Sequence, residues 1–140
     1  MIVLDTNIIS EPPRTGADSR LLEWLNEQEA ESLHLTTPTI AEMAKGAEVF
    51  FSKTSSLRHR RYLEHVVETY RGRILDFNLE ASRLFGPVVA RRQMAGRPIS
   101  VMDAMIAAIA IAHGATLATR NIRDFDGLDL KLTNPFETGA

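Results

Sequence analysis

Three observations predict an α/β domain with a mainly parallel central sheet. Short apolar runs alternate with longer segments of helical periodicity along the chain, the pattern that wraps helices around a parallel sheet. The 140 residues are 44% hydrophobic and 24% charged, which suits one compact domain spanning 1–140 and argues against disorder. No internal repeat, low-complexity segment or linker breaks the alternation.

Met1 to Leu4 is a short apolar run and reads as a buried strand. Glu11-Pro12-Pro13-Arg14 and Gly16 form a turn-rich stretch. Asp18 or Ser19 can cap a helix that contains Leu21, Leu22, Trp24 and Leu25. Leu33 to Thr36 alternates in polarity and reads as a second strand. Thr37-Pro38-Thr39 opens a helix with Ile40, Met43, Ala44 and Ala47 at helical spacing, and Lys53 to Ser56 reads as a polar loop. An amphipathic helix is expected over Arg58 to Tyr70, ended by Gly72, with a third strand in Arg73 to Phe77. Leu79 to Met94 is again helical, and Gly96-Arg97-Pro98 breaks the chain. Ser100 to His113 follows as a helix apolar almost all round, hence buried, and closed by Gly114. Thr116 to Thr119 and Leu130 to Leu132 complete the strands.

Composition excludes several chemistries. There is no cysteine, so disulfides, thiolate metal sites and cysteine nucleophiles are ruled out, in keeping with a reducing compartment. No apolar window reaches the length of a membrane span, and no basic stretch precedes Ile2-Val3-Leu4 as in a signal peptide, so a cytoplasmic location is expected. The net charge of −2 means that any nucleic-acid surface must be a local basic patch.

Ligands of open parallel sheets bind beyond the carboxyl ends of the strands. Four segments deliver acidic residues to that edge: Asp5 after the first strand, Glu42 in the first turn of the helix after the second, Asp103 in the first turn of the apolar helix, and Asp124, with Asn121, after Thr116 to Thr119. Each has a structural explanation of its own. Thr39-x-x-Glu42 and Ser100-x-x-Asp103 resemble capping boxes, and Asp5-Thr6-Asn7 can form an Asx turn. Asp124 can be a solvated turn residue. Capping alone, however, gives no reason for four such residues to share one edge. Two carboxylates about 5 Å apart repel by roughly 3 kcal/mol at an effective dielectric of 20, which a divalent cation reverses. Oxygen-only donors favour Mg²⁺ or Mn²⁺, and such ions typically act on phosphates through an activated water.

The set "LDTNIISE", "TPTIAEMAKG", "SVMDAMIAAIA" and "LATRNIRDFDGL", in this order, resembles the PIN-domain ribonucleases, and within them the toxins of VapBC/FitAB-type toxin–antitoxin pairs. The similarity runs from Met1 to Asn134-Pro135-Phe136. It implies a parallel sheet sandwiched by helices, a Mg²⁺/Mn²⁺ site and hydrolysis of RNA. By position, Asp5 and Asp103 would be the main metal ligands and Glu42 the third acid. The fourth position falls to Asp124, with Asn121 as the alternative occupant or as a hydrogen-bonding neighbour. Thr6, Asn7 and Thr119 would orient the ligands. The implied partner is a small DNA-binding antitoxin that inserts a segment into the acidic groove, and such toxins form homodimers.

Among basic residues, Arg120 and Arg123 flank the proposed site and are the better candidates for RNA phosphate contact. Arg58 to Arg61 and Arg91-Arg92 with Arg97 can be either solvated helix faces or phosphate contacts. The four histidines show no metal-ligand or catalytic spacing, and Trp24 and Phe50-Phe51 read as core or dimer interface. Two rivals stand beside the ribonuclease. One is a phosphotransferase with an aspartyl nucleophile, disfavoured by Asn7 where a second acid is wanted. The other is a catalytically weak PIN-like module that only binds protein or nucleic acid, disfavoured by the presence of all three acids.

Overall fold

The computed structural model describes residues 1–137; the last three residues of the expected 1–140 domain lie outside the described residues. Strand β1 (Ile2–Leu4) runs into a single-turn helix α1 (Thr6–Ser10), followed by α2 (Ser19–Glu27), β2 (Leu33–Thr36), α3 (Thr37–Thr54) and α4 (Arg58–Thr69). Then come β3 (Ile74–Leu75), α5 (Leu79–Met94), α6 (Val101–Ala112), β4 (Thr116–Ala118) and β5 (Lys131–Thr133). The five strands are all parallel, in the order β3-β2-β1-β4-β5. The first strand of the chain is therefore the central one, and strand order reverses between β1 and β4.

Successive residues of a strand face opposite sides of the sheet, and β1 shows the consequence. Leu4 packs with Ile8, Leu21, Leu35, Val66 and Tyr70 on one face. Val3 packs with Ala104, Ala107, Leu117 and Phe125 on the other. Helices α1 to α4 cover the first face and α5 with α6 the second, giving the expected three-layer sandwich. Both residues are wholly buried. Truncating either to Ala would leave a cavity at a cost of about 2–5 kcal/mol for a residue of leucine size.

The helix boundaries follow from local chemistry. Asp18, Asn78 and Ser100 cap α2, α5 and α6 with side-chain oxygens that accept from backbone N–H groups. Gly114 ends α6 at φ +60°. Three expectations need correction. The helix after β2 continues through Lys53 and Thr54, because Phe50 and Phe51 near its end are covered by His59, Arg58 and Arg60 of α4. Strand β3 is only two residues of the expected Arg73–Phe77. The turn expected at Asp5-Thr6-Asn7 is a helical turn capped by Asp5. Among the described residues, no helix is long and apolar enough to cross a membrane.

Candidate active site

Asp5 leaves the carboxyl end of the central strand and is 5% exposed. Its backbone is extended while Thr6 begins α1, so the carboxylate folds back over the helix start. Oδ1 accepts from the Thr6 backbone N–H at 2.8 Å. Oδ2 accepts from the Thr119 hydroxyl at 2.8 Å and from the Asn7 amide at 3.2 Å. The Thr119 bond links residues 114 apart in sequence, and it is possible because β1 and β4 are neighbours with Leu4 opposite Ala118.

Glu42 is not a capping residue. The cap of α3 is Thr36, whose hydroxyl accepts from the Thr39 backbone N–H. Thr39 is thus inside the first turn and Glu42 lies a turn further on, which corrects the expected Thr39-x-x-Glu42 box. Nor does the start of the helix explain its charge, since the dipole effect fades within the first turn. Its Oε1 instead accepts from the Thr6 hydroxyl at 2.8 Å, and that hydroxyl also lies 3.1 Å from Thr39 Oγ1. Thr6 therefore bridges α1 to α3 and ties Glu42 to the Asp5 segment.

Asp103 does sit as expected in the first turn of α6, its backbone N–H donating to Ser100 Oγ at 3.2 Å. Asp124 ends a short 3-10 turn (Ile122–Asp124) after β4 and is exposed. Asn121 is also exposed, and its backbone N–H donates to Thr119 Oγ1 at 3.0 Å. Arg120 donates its backbone N–H to Asn7 Oδ1 at 3.2 Å, with its guanidinium 4.2 Å from the centre of the Phe136 ring. Arg123 is exposed.

Burial pushes the Asp5 carboxyl up to about 6. Hydrogen bonds from Thr119 and Thr6 oppose the rise, and the charges of Asp103 and Glu42 add to it. Asp103 is also raised, by burial first, against the Ser100 hydroxyl and with further contributions from Asp124 and Glu42; Arg92 opposes. The four acids from four segments thus lie within electrostatic reach of one another, Asp103 linking Asp124 to the rest. A cleft of about 350 Å³ is lined by Asp5, Thr6, Asn7, Glu42 and Arg120, and also by Glu11 and Arg14. Glu11 and Arg14 were not anticipated; Glu11 lies one helical turn beyond Asn7, a spacing that could have pointed to it. Asp103, Asp124 and Arg123 are not part of this cleft's lining.

Among the described residues, no three His, Cys, Asp or Glu side chains stand close enough to enclose an ion as they are. The donor set nevertheless suits a hard divalent cation. It is all oxygen, it includes a buried carboxylate whose charge is disfavoured by its surroundings, and neighbouring charges of the same sign deepen that cost. Thr119→Val keeps the shape of a wholly buried side chain but removes the hydroxyl that holds Asp5 Oδ2. We expect a roughly 10–100-fold loss of divalent-ion affinity, readable by calorimetric titration of Mn²⁺ into the folded variant.

Three arginines of the other two basic stretches, Arg92, Arg97 and Arg60, are paired with acids away from the cleft. Arg92 is 5% exposed and donates to both the carbonyl and the carboxylate of Asp126, at 2.8 Å each. Arg97 pairs with the same carboxylate. In α4, Arg60 makes two hydrogen bonds to Glu48 and covers the Phe51 ring. His59 stacks on Phe50, in line with its expected structural role.

The fold and the cleft define an α/β/α sandwich with an acidic site at the carboxyl edge of its parallel sheet, where the strand order reverses. The chain belongs to the PIN-domain family, whose model matches residues 2–130. It is 38% identical over 138 residues to the VapC ribonuclease Y4jK of Sinorhizobium fredii, covering 98% of this chain and 99% of that one. It is 32% identical over 137 residues to the toxin FitB of Neisseria gonorrhoeae, covering 97% and 99%. Among solved structures, FitAB bound to a DNA fragment superposes with a TM-score of 0.87 at 30% identity, covering 100% of this chain and 99% of that chain.

Proposed function

We propose that this protein is a divalent-metal-dependent RNA endonuclease and the toxin of a toxin–antitoxin pair. The observation that carries the chemistry is Asp5: a buried carboxylate, held at both oxygens, raised by burial and by the charges of Asp103 and Glu42. Asp5, Glu42, Asp103 and Asp124 would hold Mg²⁺ or Mn²⁺. When bound, the ion supplies an acidified water and neutralises charge on the phosphodiester. Thr119 and the Thr6 backbone fix the Asp5 carboxylate, the Thr6 hydroxyl aims Glu42, and Asn7 joins Asp5 to the Arg120 backbone. Arg120, on the cleft wall, would meet a phosphate of the strand. Asp124 takes the fourth acidic place, with Asn121 beside it as a hydrogen-bonding neighbour or the alternative occupant.

The names of the relatives support the biological side: one is a ribonuclease, one a toxin, and one structure holds the FitAB pair on DNA. The partner proposed here is a small DNA-binding antitoxin that covers the acidic groove, with the toxin as a homodimer. The test is cleavage of a mixed pool of short single-stranded RNAs in Mn²⁺. Wild type should cut, chelation should stop it, and Asp5→Ala should lower the rate by at least about 10²–10³, the scale of losing one preorganised charge at a reaction centre. A folded wild-type protein that binds Mn²⁺ yet leaves every RNA intact would favour the binding-module reading instead.

A further inference from the structure

A second cavity, of about 620 Å³, opens beside the acidic cleft between α3, α4 and the loop after α1. It shares Thr6, Ser10, Arg14 and Glu42 with the cleft, so the two are continuous. Its volume falls within the range of small-molecule sites. Its wall is apolar and aromatic, made by Met43, Ala47, Phe50 and Tyr62. Both rings are fixed in place: Phe50 stacks on His59 with centroids 4.0 Å apart, and the Tyr62 hydroxyl donates to the Ile9 carbonyl at 2.6 Å. Two cations line it, Arg14 and Arg58, and among the described residues neither makes a salt bridge.

Gly46 lines the same cavity from the interior of α3. Glycine inside a helix is destabilising relative to alanine, so its presence asks for a reason. It does not occupy a left-handed turn, and a Cβ at that position would meet nothing within 4 Å. Packing within the protein therefore does not exclude a side chain there, and a long one could reach into this cavity or into the neighbouring one lined by Lys45 and Val49.

We infer that this cavity is a nucleotide subsite, taking one base of single-stranded RNA adjacent to the phosphate at the acidic cleft. The subsite rests on the ribonuclease reading proposed above. The base packs against the apolar wall of α3 and α4, and Arg14 and Arg58 meet the phosphates on either side. Charge suits this occupant better than a uniformly charged peptide stretch. A basic segment drawn by Asp5 and Glu42 meets Arg14 and Arg58, and an acidic one meets the carboxylates. A nucleotide places a neutral ring between the two and its anion on the arginines.

Gly46→Leu fills the cavity while improving helix propensity, so the fold should be retained. The measurement is fluorescence anisotropy of a labelled single-stranded RNA decamer of mixed sequence, with Asp103→Asn in every protein to prevent cutting. Gly46→Leu should raise the Kd about tenfold or more, the scale of one stacked base, with an unchanged or higher melting temperature. Arg58→Gln should weaken binding and flatten its salt dependence. An unchanged Kd in Gly46→Leu overturns the subsite, as does a failure of the Asp103→Asn protein to bind the RNA at all. So does a Gly46→Leu protein that binds RNA normally but no longer retains a co-expressed protein partner. Cleavage by the wild type is scored separately: RNA binding lost on Gly46→Leu in a protein that cuts nothing sinks the ribonuclease reading and leaves the subsite, whereas cutting with an unaltered Kd does the reverse.

Discussion

Asp103→Asn will melt at a higher temperature than wild type when divalent cations are absent, and will not cleave RNA. Asparagine keeps the size of the side chain, and the Ser100 cap on the backbone N–H of residue 103 does not depend on the carboxylate. What disappears is a charge that is disfavoured by burial and repelled by Asp124 and Glu42. Its removal also relieves Asp5, which the Asp103 charge raises. The Ser100 hydroxyl, which favours the charged carboxylate, and the weaker attraction to Arg92 work the other way, but the net shift is upward because burial is the largest influence. We expect a gain of about 2–4 °C without metal, the shift that roughly 1 kcal/mol produces in a domain of this size. Mn²⁺ should raise the melting temperature of wild type and raise that of the variant less. Differential scanning calorimetry with and without Mn²⁺ measures both. A variant that is less stable than wild type in chelator would mean that Asp103 serves as a helix cap, and that the acidic cluster carries no stored repulsion.

Raising the pH from about 4.5 to 7 will destabilise the metal-free protein, against the usual trend for buried carboxylates in hydrogen bonds. The folded Asp5 keeps its proton up to about pH 6, whereas the unfolded one releases it near 3.8. Between these values the folded state binds more protons than the unfolded state, so unfolding free energy falls as pH rises. The full effect is about 3 kcal/mol, lost by the time the pH passes 6. Asp103 is raised too and acts in the same sense. Asp18 and Glu48 are lowered by their arginine partners, so their stabilisation fades only at still lower pH, outside this window. Urea unfolding at a series of pH values should show the decline, and saturating Mn²⁺ should abolish it, because an ion bound only to the folded state compensates the charge. A stability that rises through this interval would contradict the burial of Asp5 as the dominant influence.

Much of this was legible in the sequence where local chemistry decides. The Leu79–Met94 helix is bounded by Asn78 as cap and by the break at Gly96, and it runs as expected. Asp5 at the end of an apolar run needed only the rule that parallel sheets present their sites at the carboxyl edge. Glu42 was found for partly the wrong reason. Thr36, Thr37 and Thr39 are all able to cap, and only the hydrogen bond from the Thr39 backbone N–H to the Thr36 hydroxyl shows how deep in the helix Glu42 sits. Arg92 was illegible for a related reason. Two adjacent arginines near a helix end look solvated, and burial is revealed only by Asp126, 34 residues further on. Glu11 was legible only through its spacing one helical turn beyond Asn7, and Arg14 lies in the turn beyond α1, where no periodicity points to it.

The hydrogen bond from Thr119 to Asp5 has a consequence for the order in which the protein becomes competent. A chain emerging from the ribosome presents Asp5 first, yet the hydroxyl that holds it lies 114 residues later. That hydroxyl lies one residue past β4, whose outer side is paired only by β5, so Lys131–Thr133 must be free before β4 has its second neighbour. Domains fold as units once their distant pairings can close. A growing chain therefore carries Asp5 and Glu42 for most of its synthesis without the clamp that aims Asp5, and the acidic site is assembled only as the last strands of the sheet become available.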